Sequence, residues 1–463
     1  MRIWIVNPFD ELPGETDLPQ RYWALSRELA RQGHDVLWWS SDFSHRRKQR
    51  RAEPPSADGF RIRLIPTPPY RRNVGIGRLR NHRAFARGFR QQALAALESG
   101  DLAPPDRIVV SLPPLETAGA AFAVRDWADG QRADGGRRAG GLATRQRKTG
   151  NGSNGAARCE VIVDIMDAWP ETFYRLIPLP GAPRQLLARI LLAHLHRRAR
   201  DAYRNADRIS AVGDRYLELA RRHAPSHTPM HRCYHGTDLE TLETGPEDDA
   251  EEFRRAESLP RPAPIHPAKG GPPTSPSALP PALRLAYIGA LERSYDLETV
   301  VEGLRRLSRD GVPVTLDIAG AGSRAGWIGR LASETPFIRF HGLLNRADLR
   351  ALLASCHLGV IPLSGDSWVG LPYKIADYAA AGLPVLSSLD GECRRLLETK
   401  KAGTYYRPGS AEEFRRAVRR YVENPEDLRA AALNSRRMAE DEFDRARIYP
   451  ALADFLTRPQ AGR

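Results

Sequence analysis

Short apolar runs and stretches of helical period alternate along most of this chain. Residues 2–6 (Arg-Ile-Trp-Ile-Val) read as a buried strand that opens into a proline- and glycine-bearing loop, Asn7 to Pro19. Trp23, Leu25, Leu29 and Ala30 then share one side of a predicted helix, Arg21 to Gln32, and Gly33 stands where a left-handed C-cap belongs. A second strand follows at Val36 to Trp39. Such a β-α-β unit implies a parallel sheet covered by helices. Further strands are predicted at Phe60–Ile65, Arg107–Ser111, Val161–Ile165 and Arg208–Val212, with helical stretches between them. Together they make one doubly wound domain.

The alternation restarts near residue 283. Strands are expected at Leu283–Ile288, Val314–Ala319, Ile338–His341, Leu358–Pro362 and Val385–Ser388, and helices at Leu297–Leu307 and Arg346–Cys356. A helical run from Ala411 to Leu456 closes the chain. Two segments break the pattern. Residues 127–157 are glycine-rich, basic and almost without apolar positions, which predicts a disordered surface insertion. Residues 258–282 are rich in proline and serine and read as a linker. The expected organisation is an N-terminal Rossmann-like domain (1–257), the linker, a C-terminal Rossmann-like domain (283–440) and a final helix (441–463) that crosses back to the first domain. The fold class is α/β, with two doubly wound domains facing a cleft and ligands at the carboxyl ends of the strands.

Composition narrows the class. At 463 residues the chain exceeds one ordinary core. No apolar stretch reaches the roughly 20 residues that span a bilayer, and the N-terminal apolar run is too short for a signal peptide. Cys159, Cys233, Cys356 and Cys393 are widely spaced, form no metal-ligand pair and read as reduced thiols of a cytoplasmic protein. The net charge of +14 comes mainly from scattered arginines. It is either a coding bias on solvated helix faces or an attraction to anionic partners, meaning a phosphate-bearing substrate, a lipid surface or nucleic acid. No nucleic-acid-binding signature is present, so nucleic acid is not expected.

Candidate chemistry lies in loops that follow strands. Gly289 ends the strand of residues 283–288, and Gly320 and Gly322 end that of 314–319; glycine there permits close backbone approach to a ligand. A tight turn is the competing reading for the second loop, whose glycines do not match the dinucleotide fingerprint. The small-residue loop 364–372 leads into a predicted helix, Tyr373 to Ala381, capped by Gly382 and followed by Pro384. Lys374 falls in the first turn, the wrong end of a helix for a cation unless an anion also sits there. Asp377, one turn later, shares its face and can accept hydrogen bonds from ribose hydroxyls. A solvated surface lysine remains the other reading of Lys374.

At this point the ordered motifs resemble the retaining glycosyltransferases of family 4, which have the GT-B fold. The resemblance rests on Tyr-x-Gly-x-Leu…Tyr-Asp-Leu-Glu-Thr (287–299), Ile-Ala-Gly-x-Gly (318–322), Ile-Arg-Phe-His-Gly-Leu (338–343) and Gly-Leu-Pro-x-Lys-x-x-Asp-Tyr-x-Ala-x-Gly-x-Pro-Val (370–385). In the first half, Ser-Asp-Phe-Ser-His (41–45), the segment Asp164 to Glu171 and Tyr-His-Gly-Thr-Asp (234–238) look like family loops. The chain is most similar to the bacterial branch that builds cell-surface polysaccharides. It departs from the family's pair of donor-site glutamates: Asp377 holds the second position and Val369 the first. Ala290 replaces the family's usual arginine, with Arg293 nearby.

The resemblance implies a transferase that moves a sugar, with retention, from a nucleoside diphosphate to a glycan or a lipid-diphosphate-linked acceptor. Lys374 and Arg293 would neutralise the leaving diphosphate. The backbone at Gly370 and Leu371 would approach the donor, Asp377 would hold its ribose, and Gly289 and Gly322 would admit the nucleotide. Gly14, Arg21, Asp167 and Glu171 are the acceptor-side candidates, with a helix cap as the other reading of Asp167. No cofactor and no metal are expected. The segment Arg184 to Arg204 joins an apolar run to a cationic end, and is either a peripheral contact with an anionic inner membrane face or a core helix. The rival functions are a non-catalytic nucleotide-sugar-binding protein and a nucleotide-sugar epimerase. Turnover across a donor panel, and conversion without acceptor, separate these from a transferase.

Overall fold

A computed structural model of the chain describes residues 1–16, 19–51, 58–71, 75–139, 158–177, 179, 181–239 and 282–459. The expected linker therefore lies outside the described residues except for its last position, as does the insertion beyond Ala139. Two compact units emerge: Met1–His235 with Trp368–Leu371 and Ala446–Arg463, and Gly236–Ser367 with Pro372–Arg445.

The first unit carries strands β1 (Arg2–Val6), β2 (Asp35–Ser41), β3 (Arg61–Ile65), β4 (Arg107–Leu112), β5 (Glu160–Ile165), β6 (Arg208–Ala211) and β7 (Met230–Arg232). Helices α1 (Arg21–Arg31), α2 (Ile76–Glu98), α3 (Leu115–Ala139), α4 (Gly181–Leu191), α5 (Ala193–Asn205) and α6 (Asp214–Arg221) connect them. The strands form a parallel sheet of order β3-β2-β1-β4-β5-β6-β7. β4, β5 and β6 are buried along their whole length, as expected of strands covered on both faces. Gly33 adopts a left-handed conformation just past α1, the C-cap its position predicts.

Two expectations change here. Residues 127–139 do not begin an insertion but continue α3, because Ala128 is fully buried and Asp129 accepts a hydrogen bond from the Cys159 amide at 2.9 Å. The predicted helix of 184–204 is two helices, α4 and α5, broken at Leu192. Of the α4 side chains Ala188 alone is buried, so a core-helix reading fails for α4.

The second unit contains β8 (Leu283–Ile288), α7 (Leu297–Arg309), β9 (Val314–Ala319), α8 (Ala325–Glu334), β10 (Ile338–Gly342), α9 (Arg346–Ala354) and β11 (Leu358–Ile361). After these come α10 (Lys374–Ala380), β12 (Val385–Ser387), α11 (Glu392–Lys400), β13 (Gly403–Tyr405), α12 (Ala411–Glu423) and α13 (Pro425–Met438). Its parallel sheet has the order β10-β9-β8-β11-β12-β13. α7 and α12 cover one face through Val300, Leu304, Phe414 and Val418, all fully buried. The single helical run predicted for 411–456 is α12 and α13, a π-turn at Ala439–Phe443, and α14 (Arg445–Thr457). Along α14, Tyr449, Leu452 and Leu456 pack in the first unit with Ile3, Ile5 and Trp38. No described helix is long and apolar enough to cross a membrane.

Candidate functional site

Strand order in the second sheet reverses between β8 and β11, and in a doubly wound sheet ligands bind at that switch, beyond the carboxyl ends of the strands. Helix α10 is fixed there by Tyr378. Its hydroxyl accepts from the Ile288 amide at 3.0 Å and donates to the Val360 carbonyl at 3.2 Å, tying the helix to β8 and β11 together. The ring fits because residue 359 is glycine; a Cβ there would lie 2.4 Å from it.

One turn earlier stands Lys374. The side chain is 6% exposed, and its Nζ has no hydrogen-bond partner among the described residues. The ammonium lies 4.1 Å from the ring centre of Tyr287 and 4.0 Å from that of Tyr295, so two π faces favour the charged form. Burial pushes its pKa down to about 7, against the opposing pull of Asp377. Gly289 completes the enclosure with φ of 109°, a conformation glycine adopts without strain, 3.5 Å from the lysine head at the point where a Cβ would begin. A solvated surface lysine is thereby excluded. The two tyrosines escaped the sequence reading because nothing in their spacing announces that both rings converge on a lysine some 80 positions later.

Asp377 is partly open to solvent, and its carboxylate makes no hydrogen bond among the described residues. Burial raises its pKa to about 6, while Arg445, Arg346 and Lys374 pull it back. Lys374 and Asp377 thus present an unmatched donor and an unmatched acceptor one turn apart. Arg293 is not part of this pair. It is exposed and lines a separate cavity of about 760 Å³ with Arg324, Ser364 and Gly365. For Gly320 and Gly322 the geometry favours the structural reading of their loop: a Cβ on Gly322 would lie 2.5 Å from the Leu291 carbonyl oxygen, and one on Gly320 would lie 1.8 Å from that of Gly289. These glycines let the loops after β8 and β9 close on each other, and intramolecular packing alone accounts for them.

The remaining candidates fall in the first unit. The Gly370 amide donates to the Tyr216 hydroxyl at 3.0 Å and is therefore already occupied, while Leu371 is buried. Gly14 is exposed in the loop after β1. Arg21 is 3% exposed and grips Asp164 through two bonds of 2.8 and 3.0 Å, with Tyr22 and Ser210 also donating to that carboxylate. Every strong donor of Arg21 faces the protein interior, so it serves the fold and not an acceptor. Asp167 accepts from the Ala168 amide, the Trp169 indole and the Thr172 hydroxyl, so its carboxylate braces its own loop, and the 3-10 turn Glu171–Leu176 that follows has Pro170 at its N-cap. Glu171 faces a cavity described below.

A second polar group at the carboxyl ends of the first sheet was not anticipated. His45, after β2, bonds Tyr70, and His82 on α2 accepts from Arg78 at 3.2 Å. The Arg78 guanidinium also lies over Phe9 and Trp169. Burial first, and Arg78 next, push both imidazoles down to about 3, so they stay neutral. With Nε2 of His82 accepting, its proton sits on Nδ1, which is buried and lacks a partner among the described residues. The motif Ser-Asp-Phe-Ser-His (41–45) pointed to this loop but not to its contacts.

With this geometry in hand, known proteins give the context. Residues 282–424, from β8 through α12, match the family model described as Glycosyl transferases group 1. The amylovoran biosynthesis glycosyltransferase AmsK of Erwinia amylovora is 23% identical over 188 residues, which are 39% of this chain and 46% of that protein. The match thus spans less than half the length of that relative. Among solved structures, sucrose-phosphate synthase from Thermosynechococcus elongatus superposes with a TM-score of 0.61 at 14% identity, covering 98% of both chains. HepE from Anabaena, in complex with UDP and glucose, gives 0.56 at 13% identity and 99% coverage of each. The fold is that of the GT-B glycosyltransferases, and the group 1 match falls on the unit that holds Lys374 and Asp377.

Proposed function

We propose that this chain is a glycosyltransferase of cell-surface polysaccharide synthesis. It transfers a sugar, with retention, from a nucleoside diphosphate to a glycan or lipid-linked acceptor on the cytoplasmic face of the membrane. The observation that carries this reading is the buried ammonium of Lys374, which has two aromatic neighbours and, among the described residues, no hydrogen-bond or ion-pair partner. A buried cation without a partner is costly, and a diphosphate at the β8–β11 switch supplies the missing charge. Ionised Asp377 would accept from the ribose hydroxyls. In the reaction the bond from the anomeric carbon to the diphosphate oxygen breaks and one to the acceptor oxygen forms on the same face. The acceptor proton leaves with the diphosphate, and Lys374 stabilises the charge developing there. Arg293, exposed on a separate cavity, is assigned a secondary contribution. The group 1 match across residues 282–424 and the UDP complex of HepE support a nucleotide site of this kind.

The test is thermal unfolding with UDP, GDP, ADP and their glucose conjugates. One nucleotide series should raise the midpoint by mass action, and Lys374→Ala should abolish that rise while leaving circular dichroism unchanged. Absence of a shift with every nucleotide would overturn the proposal. Sugar transfer to a lipid-linked glycan with the stabilising donor, read for anomeric configuration, tests transfer and retention.

A further inference from the structure

The first unit holds a cavity of about 660 Å³ between the 3-10 turn Glu171–Leu176, α4, α5 and α6, closed on one side by Trp368. Its size suits a small ligand. Arg189, Arg197, Arg200 and Arg222 line it, and Glu171 is the one carboxylate among its lining residues. None of these guanidiniums forms an ion pair within 4.0 Å among the described residues. The Nε of Arg200 is buried and lacks a hydrogen-bond partner among the described residues. His223 and His196 also line the cavity. Burial lowers both imidazole pKa values, and so do their arginine neighbours: Arg200, Arg204 and Arg222 around His223, and Arg189 and Arg200 around His196. Glu171 lies 3.8 Å from His196 and offsets one charge at most. The cavity is therefore a concentration of positive charge that the chain does not neutralise.

Helix α4 joins this cavity to an apolar surface. Arg189 points to the cavity, while Leu186, Ile190 and Leu191 are 64%, 64% and 58% exposed. Leu176, just before α4, is also exposed. Leu186 and Ile190 are four positions apart and share one face of the helix. A soluble surface does not ordinarily place three large apolar side chains in the open on one short helix. Guanidinium forks match phosphate oxygens with paired hydrogen bonds, and an apolar face beside them matches a hydrocarbon chain.

We infer that the cavity binds the phosphate-bearing headgroup of a membrane lipid while the exposed face of α4 enters the hydrocarbon next to it. The anion site stands on its own geometry; only the identification of that lipid as the sugar acceptor rests on the transferase reading. Arginine in place of lysine is informative here, because a diphosphate offers more oxygens than a point charge can address.

The full-length protein should be sedimented with phosphatidylcholine vesicles, alone and doped with farnesyl diphosphate. Binding to the doped vesicles is expected to be tighter by about tenfold or more, and inorganic pyrophosphate should compete for it. Arg197→Ala with Arg222→Ala, two exposed positions, should erase the preference for doped vesicles. Leu186→Glu with Ile190→Glu should abolish vesicle binding yet keep pyrophosphate binding measured by calorimetry. Equal binding to both vesicle types, or a preference untouched by the arginine pair, would overturn the inference. Midpoint shifts with the donor nucleotide, measured on the same variants, report on the second unit. Their persistence while vesicle preference is lost separates this site from the donor site, and their absence throughout would fault the transferase reading alone.

Discussion

Lys374 costs the free protein stability, and its consequences can be measured apart from catalysis. Its folded pKa of about 7 lies below the usual 10.5, so the folded state binds fewer protons between those values. The penalty is full below about pH 7 and is relieved as pH rises toward 10.5. Replacing it with an apolar side chain of similar length removes the penalty at neutral pH. Lys374→Met should stabilise the free protein by about 1–3 kcal/mol in urea titration while eliminating donor binding, a pairing expected of functional residues and not of packing ones. Reduced stability in Lys374→Met would instead mark the lysine as structural. The same values shape ligand affinity. A bound diphosphate favours the ammonium, so above about pH 7 binding must take up a proton, and below about pH 6 Asp377 is protonated and loses its acceptor character. Affinity for UDP-glucose, whose phosphates do not titrate there, should peak between these values and fall on either side by up to about tenfold per pH unit. Asp377→Asn should flatten the acid limb. Asp164 behaves in the opposite sense. Arg21, Ser210 and Tyr22 hold its carboxylate below its usual value against the cost of burial, so it contributes stability above about pH 3.8 that is lost as pH falls. Asp164→Asn leaves Arg21 buried without its counter-charge and should destabilise the protein by about 3–5 kcal/mol in the same titration.

At the level of elements, the site depends on how α10 is docked. The helix is seven residues long and gains little from its own hydrogen bonds, so its position comes from Tyr378 and the space at Gly359. Gly359→Ala would place a Cβ within 2.4 Å of that ring, between strands that cannot separate. The expected result is a loss of about 1–3 kcal/mol and displacement of Lys374, seen as weaker UDP-glucose binding than the stability loss explains. Binding that keeps its affinity per folded molecule would show that α10 is positioned otherwise. This anchoring also shows where sequence reasoning reaches its limit. The strands β1, β8 and β9 are legible to the residue, because largely buried, mainly apolar runs between turn signals leave few alternatives. β7 and β13, three half-buried residues each, carry no such pattern and were missed. Lys374 and Asp377 stood out through their place in a helix after a strand. Their cage did not, because Tyr287 and Tyr295 are brought to Lys374 by the order of strands. Arg21, which opens α1, and Asp167, in the loop after β5, show a related limit: a polar residue reads alike in sequence whether it faces a ligand or bonds groups inside the fold.

At the scale of the molecule, the chain finishes by returning to its first unit. Tyr449, Leu452 and Leu456 of α14 are at most 4% exposed and pack with Ile3, Ile5 and Trp38 of the first sheet. Two arginines from that sheet fasten the end of the helix: Arg208 donates to the Phe455 carbonyl at 3.1 Å and Arg107 to that of Arg458 at 3.3 Å. Cations suit the last turn, where carbonyls lack partners within the helix. Glu160 holds both arginines in turn. Each buried side chain of α14 contributes about 1.5–3 kcal/mol, so the three together approach the whole net stability of an ordinary domain. The second unit's core, built from β8 to α13, uses none of them. A chain ending at Arg445 should therefore lose the first unit. Limited proteolysis should digest residues up to 235 quickly and leave a fragment that holds the second unit. That fragment should keep its thermal stabilisation by UDP-glucose, because Lys374, Asp377 and both caging tyrosines lie within it. Intact protease resistance of the first unit in the truncated chain would show that α14 is dispensable. Loss of nucleotide stabilisation in the surviving fragment would mean that the donor site needs groups beyond the second unit.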